Sequence, residues 1–232
     1  MNPLQAVAPD VFRATRPQSY GWENAMYVLR LADGSLLVHS ATDLGEGTFE
    51  AIRKLGDVRW LFAPNHFHHL GIPAYRRVFP GARAIAAPGA VKRLRAKGVD
   101  AVGLDTVDVP LPAGAGFLVA EGTKSGETIL VWPGEGGPTW IVCDAFFNVP
   151  SLSGFPGAVL RALRTGPGLA LGKTFEWLVI GDRERYRSWI HGALDAGPPA
   201  RMFFSHGEPL TLAGAEPVRS LLTSKFGPVR GR

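Results

Sequence analysis

The sequence predicts a layered α/β fold in one domain, and three observations predict it. The first half alternates strand and helix signals, and the middle strings strand-like segments together through short Gly/Pro turns. No repeat of fixed period or low-complexity linker divides the chain. Alternation of this kind builds sheets covered by helices. A length of 232 residues can bury a substantial core, so the expected domain spans 1–232. With 46% hydrophobic and 19% charged residues, the composition is that of a folded chain rather than a disordered one.

The elements follow in order. "AMYVLRL" (25–31) and "SLLVH" (35–39) flank an Asp33-Gly34 step, a strong hairpin signal. "EGTFEAIRKLG" (46–56) spaces Phe49, Ile52 and Leu55 for a helix ending at Gly56. "VRWLFA" (58–63) reads as a buried strand and "IPAYRRVFPG" (72–81) as a short helix stopped by Pro80-Gly81. "ARAIAA" (82–87) is a strand and "PGAVKRLRAKG" (88–98) a helix with proline near its start. Four strands are then expected at "TVDVPL" (106–111), "FLVAEG" (117–122), "ETILVWP" (127–133) and "TWIVCD" (139–144), with "EGGP" (135–138) turning into the last. Helices at 155–166 and 182–197, a strand "RMFFS" (201–205) and a closing helix at 214–226 complete the pattern.

Composition excludes several function classes. The formal charge of +5 and pI near 9.7 raise the question of nucleic acid. The cations, however, sit in helices such as 91–98 (Lys92, Arg93, Arg95, Lys97) and 182–189 (Arg183, Arg185, Arg187), without a nucleic-acid fingerprint or interleaved aromatics. They read as solvated faces, with some attraction for anionic small molecules. No uncharged apolar run reaches the ~18–20 residues that span a bilayer, so no membrane partner is expected. The N-terminus lacks the order of a signal peptide. A single cysteine, Cys143, fits a reducing compartment, and the expected location is the cytoplasm. There is no G-x-S-x-G elbow, and "LGKTF" (171–175) misses a P-loop because position 167 is proline.

The chemistry concentrates at three strand ends. "APNHFHHLG" (63–71) places His66, His68 and His69 directly after a buried strand, "WIVCD" ends in Asp144, and "MFFSH" ends in His206. Histidine is the commonest metal ligand because its neutral ring offers a lone pair near pH 7. The set therefore reads as a metal site, with a metal-free hydrogen-bonded cluster as the alternative. His191, in the arginine-rich helix, is expected to be exposed. Strand alternation should turn Cys143 away from Asp144, as an apolar filler. Phe146 and Phe147 either wall a pocket or pack the core.

From about Asn24 to Leu210, the order of these features resembles the metallo-β-lactamase fold superfamily. The resemblance rests on "GSLLVHSATDLG", "VRWLFAPNHFHHLG", "VFPGARAIAAP", "SGETILVWP", "WIVCDAFF" and "FFSHGEP", and it is similar to an uncharacterised branch of that superfamily. It implies a four-layer αββα sandwich and hydrolysis by hydroxide held on one or two zinc or iron ions.

The metal motif departs from the family's His-x-His-x-Asp-His, and two registers fit. In one, His66 and His68 match the first pair, leaving Leu70 and Gly71 at the Asp and final His. In the other, which the downstream "HLGIPAYRRVFPGARAIAAP" follows better, Pro64 replaces the first His, His66 is the second, His68 replaces Asp and His69 is the last. A further family histidine falls at Thr123, where Glu121 is the nearby group able to ligate. Asp144 matches the acid that bridges two metals and His206 the last histidine. His39 stands where the family has Asp and is expected to be a supporting or structural residue.

The resemblance thus implies one divalent metal at most, zinc first and iron or manganese next, or none if the site has degenerated. Its ligands would come from His66, His68, His69, Asp144 and His206. Four ligands on zinc would make a structural site; three plus water, a hydrolytic one, with Asp144 or Glu121 relaying the proton. The expected function is a mononuclear metal-dependent hydrolase acting on a small molecule. The alternative is a non-catalytic descendant that binds a ligand or partner.

Overall fold

The computed structural model describes residues 4–18 and 23–227. Its contacts divide the chain into two compact units, one built on residues 4–16 and 24–113 and the other on 114–227.

The first unit holds a seven-stranded sheet whose strands are ordered as in the sequence. Strands β1 (Gln5–Ala8), β2 (Val11–Pro17), β3 (Glu23–Arg30) and β4 (Leu36–His39) come first. Asp33 Oδ1 tightens the β3–β4 hairpin by accepting from the Ser35 backbone N–H (2.9 Å) and hydroxyl (2.6 Å). Helix α1 (Glu46–Leu55) then crosses to β5 (Val58–Ala63), α2 (Ile72–Val78) to β6 (Arg83–Ala86), and α3 (Pro88–Ala96) to β7 (Ala101–Gly103). These crossovers make β4, β5, β6 and β7 mutually parallel. The expected strand at 58–63 and helix at 46–56 are thus found almost to the residue. Phe49 and Ile52 of α1 are buried, and Phe49 meets Tyr75 of α2 edge-on at 5.0 Å between ring centres.

One expected strand is absent. Leu104–Thr106 form a 3-10 turn, and residues 107–112 run on without joining a sheet. Pro110 and Pro112 have no N–H to give a ladder. The Pro110 carbonyl instead accepts from Ala32 N–H at 2.9 Å. Sheet pairing falls before the expected strand, in β7, which starts five residues earlier.

The second unit holds β8 (Gly116–Val119), β9 (Thr128–Trp132), β10 (Thr139–Val142), β11 (Phe147–Val149), α4 (Gly154–Ala162), β12 (Gly168–Ala170), α5 (Lys173–Leu178), α6 (Arg183–Ala196), β13 (Arg201–Phe204), β14 (Leu210–Thr211) and α7 (Glu216–Phe226). Its five-stranded sheet is ordered β14-β13-β10-β9-β8, and β11 pairs with β12 separately. The 135–138 turn joins antiparallel β9 and β10, as expected, whereas β10 and β13 are parallel. Trp140, Val142, Met202 and Phe204 pack with Tyr186, Ile190 and Leu194 of α6 and with Leu222 of α7. Large side chains buried like these contribute about 1.5–3 kcal/mol each.

The expected exposure of His191 is overturned. Its ring is 3% exposed, on the side of α6 that carries Tyr186, Arg187, Ile190 and Leu194 inward. Burial, and then the charge of Arg219, lower its pKa. The arginines of this helix are tied down. Arg183 and Arg187 pair with Glu176 and Glu184, and Arg183 also reaches the Lys225 carbonyl.

Candidate metal centre

In the first unit, the parallel strands β4 and β5 end at one edge of the sheet, and the histidine loop leaves β5 there. Asn65, fully buried, shapes it. Its Oδ1 accepts from the backbone N–H of Phe67 (2.8 Å) and His68 (3.3 Å), an Asx turn that fixes the backbone beneath two histidines. The far end is equally constrained. A Cβ on Gly71 would lie 2.1 Å from the Ala41 carbonyl oxygen, so only glycine lets the loop seat against the chain after β4.

The three loop histidines differ in setting. His66 is buried, its ring centre 3.9 Å from that of Phe67, and its carbonyl accepts from Lys97 Nζ at 3.1 Å. His68 is partly buried. His69 is partly buried, with Nδ1 3.1 Å from the Phe67 carbonyl oxygen. A carbonyl only accepts, so Nδ1 carries the proton and Nε2 keeps its lone pair. Burial first, and Lys97's charge next, lower the His69 pKa and favour the neutral, metal-binding form. His39 ends β4 with no exposure, edge-on to Phe62 at 5.4 Å and Tyr27 at 6.2 Å. Among the described residues neither of its ring nitrogens has a hydrogen-bond partner. It is a packing residue held neutral by burial.

In the second unit, register delivers the site. Val142 of β10 stands opposite Phe204 of β13, so both parallel strands leave the sheet together. Two residues further on, Asp144 Oδ1 and His206 Nε2 lie 3.0 Å apart. The His206 ring stacks on Phe147 at 5.4 Å and 16°, so Phe147, buried, covers one face of this pair. Asn148 N–H donates to the His206 carbonyl (3.3 Å) and Glu208 N–H to the Asn148 carbonyl (2.8 Å). Gly207 sits between them at φ +116, where a Cβ would fall 2.0 Å from the Asn148 oxygen.

Two residues here escape a reading of the sequence. Glu127, 1% exposed, accepts from Ala145 N–H at 3.2 Å and so fixes the residue after Asp144. Its only signal is a carboxylate at the head of the apolar run "TILVW". Cys143 was expected to point away from Asp144, but β10 ends at Val142 and the chain bends. Alternation stops there, and the sulfur lies within 4.8 Å of an Asp144 carboxylate oxygen.

The remaining positions bear on how many ions the fold can hold. Pro64 has no ligating side chain. The Thr123 hydroxyl is committed to its turn, donating to the Ala120 carbonyl (2.9 Å) and accepting from Gly126 N–H (3.1 Å). Glu121 is half exposed, with Oε2 accepting from Arg185 Nε at 3.0 Å. Two ligand atoms, each about 2.0–2.1 Å from a tetrahedral zinc, lie roughly 3.3 Å apart, close to the separation of Asp144 and His206. Carboxylate, imidazole and thiol together suit zinc or iron better than magnesium.

Solved structures share this fold. Over 97% of this chain and 96% of the other, the fold matches the metallo-β-lactamase FIM-1 from Pseudomonas aeruginosa in its mono-zinc form, with TM-score 0.60 and 12% identity. The chain has the metallo-β-lactamase fold. Metallo-β-lactamases from Hirschia baltica (TM-score 0.56, 10% identity, 97% of both chains) and Pontibacter korlensis (0.53, 12%, 95% of this chain and 98% of that one) match as well. No protein-family profile and no curated protein matches the sequence. For this metallo-β-lactamase-fold protein, mixed α+β and of the αββα class, likeness at 10–12% identity carries the fold and nothing finer. No described helix is long and apolar enough to cross a membrane.

Proposed function

We propose that this metallo-β-lactamase-fold protein is a mononuclear metal-dependent hydrolase. The observation that carries the reading is the Asp144–His206 contact at 3.0 Å, delivered by two parallel strand ends of a fold shared with FIM-1 in its mono-zinc form. In the proposal, Asp144 and His206 hold one divalent ion together with His68 and His69, while His66 supports the loop. Zinc is the first choice, then iron or manganese. An ion there supplies Lewis acidity and brings the pKa of a water towards ~7.

The chain's own groups have separate tasks. Phe147 shields His206 from water on one face, and Glu127 holds the backbone after Asp144. Asp144 is the carboxylate proposed to take a proton from an attacking water, and Glu121 is the alternative. The net charge of +5 favours small anionic substrates over cationic ones.

Metal analysis of protein purified without added metal tests the reading. About one zinc, iron or manganese per chain is expected, lost in Asp144→Ala, His206→Ala and His68→Ala while circular dichroism stays unchanged. Hydrolysis of a panel of β-lactam, ester and phosphodiester substrates should fall with the metal, and Glu121→Gln retaining full activity would remove Glu121 from the mechanism. A folded protein that holds no metal and takes none up overturns the reading in favour of a ligand-binding descendant. That second reading has its own support in Pro64 and the committed Thr123 hydroxyl.

A further inference from the structure

The segment after the Asp144 loop is more apolar at its surface than a solvent-facing stretch needs to be. Gly157 is the only buried residue of α4, and Leu160 alone of its large side chains leans on the small cluster of Phe147, Val149 and Leu152. Phe155 is 82% exposed and Val159 42%. Further along, on α5, Trp177 is 62% exposed and Leu178 57%. Each of the two helices thus exposes a pair of large apolar side chains, Phe155 and Val159 one turn apart on α4 and Trp177 and Leu178 adjacent on α5.

Charge says what these side chains meet. From 145 to 175 the sequence contains Arg161, Arg164 and Lys173 and no aspartate or glutamate. Both arginines are exposed, and Lys173 is half-buried. The next acid, Glu176, is already paired with Arg183 and Lys225. A second copy of the chain fits badly, because a two-fold contact sets a patch against itself. It would press these cations together with no carboxylate in the segment to answer them. An anionic surface that accepts both apolar side chains and cations suits the segment better. Exposed phenylalanine and tryptophan beside arginine is how short helices lie in a lipid headgroup layer.

We propose that residues 154–178 dock this protein reversibly onto anionic lipid bilayers, with Phe155 and Trp177 entering the headgroup layer and Arg161, Arg164 and Lys173 contacting lipid phosphates. The sequence has no bilayer-spanning apolar run, which is why no membrane partner is expected from it. A surface contact needs only a short apolar and cationic segment, and the proposal requires no metal.

Co-sedimentation of the full chain with vesicles decides it. Vesicles of equal parts phosphatidylcholine and phosphatidylserine should bind the protein, and phosphatidylcholine alone about a hundredfold less, since each of the three cations near an anionic surface contributes roughly fivefold. Phe155→Asp with Trp177→Asp should weaken binding at least about tenfold, and Arg161→Gln with Arg164→Gln should do the same with a flatter salt dependence. Unchanged melting of these surface variants keeps the comparison fair. No sedimentation, equal binding to neutral vesicles, or binding indifferent to the variants overturns the proposal. So does a concentration-dependent dimer that Phe155→Asp abolishes in the absence of vesicle binding. The measurement is made with and without added zinc, so its failure leaves the metal reading intact.

Discussion

His39 is a buried imidazole with unpartnered nitrogens, and its protonation is coupled to folding. Burial, followed by the charge of His68, lowers its pKa from 6.5 to about 3. The unfolded chain therefore takes up a proton near pH 6.5, while the folded chain resists until about pH 3. Between those values the unfolded state binds more protons, so stability is complete above pH 6.5 and is lost as pH falls towards 3. The contribution is on the order of 1 kcal/mol per pH unit. Urea unfolding between pH 7 and pH 4 should show this slope, and His39→Phe, which suits the neighbouring Phe62 and Tyr27 rings, should flatten it. An unchanged slope would mean that His69 and His191 carry the effect instead. At this scale the sequence made positions legible, since His68, His69, Asp144 and His206 all stand just past strands. It concealed Asn65 and Glu127, whose tasks are hydrogen bonds to backbone atoms. It also misplaced His191, because a run of arginines hides the single inward face of α6.

Elements were legible where one local signal dominated. β5 is apolar at every position but Arg59, and α1 combines helical spacing with a glycine stop. α6 owes its start to Asp182, whose carboxylate accepts from the N–H groups of Glu184 (3.1 Å) and Arg185 (3.0 Å). Asp182→Ala should cost about 1 kcal/mol of stability, measured by urea denaturation, and Asp182→Asn much less. Loss equal in both variants would assign the effect to charge rather than to capping. Short strands were illegible for a physical reason. β7, β11 and β12 have three residues each, and neighbouring strands rather than local propensity make them strands. The 106–111 stretch failed in the other direction, since β-branched residues promised a ladder that Pro110 and Pro112 cannot complete.

Across the whole molecule, the order of elements carried the fold even though no profile matches the sequence, because the succession of strands and crossovers survives at 10–12% identity. An ion bound only by the folded chain must stabilise it. At a hundred times its dissociation constant the gain is about 2.7 kcal/mol. Added zinc should therefore raise the melting temperature of metal-stripped protein by several degrees, and should leave Asp144→Ala unmoved. A melting temperature indifferent to zinc in the wild type would count against a specific site.

Asp144 and His206 are 62 positions apart. They meet only once β13 has been laid beside β10, whereas the Asn65 turn under His68 closes within four residues. A chain still emerging or partly folded therefore presents its loop histidines early and lacks the Asp144–His206 clasp until late. On the proposed function, capture of an ion by that pair is a timestamp on folding, recording that the second sheet has been completed.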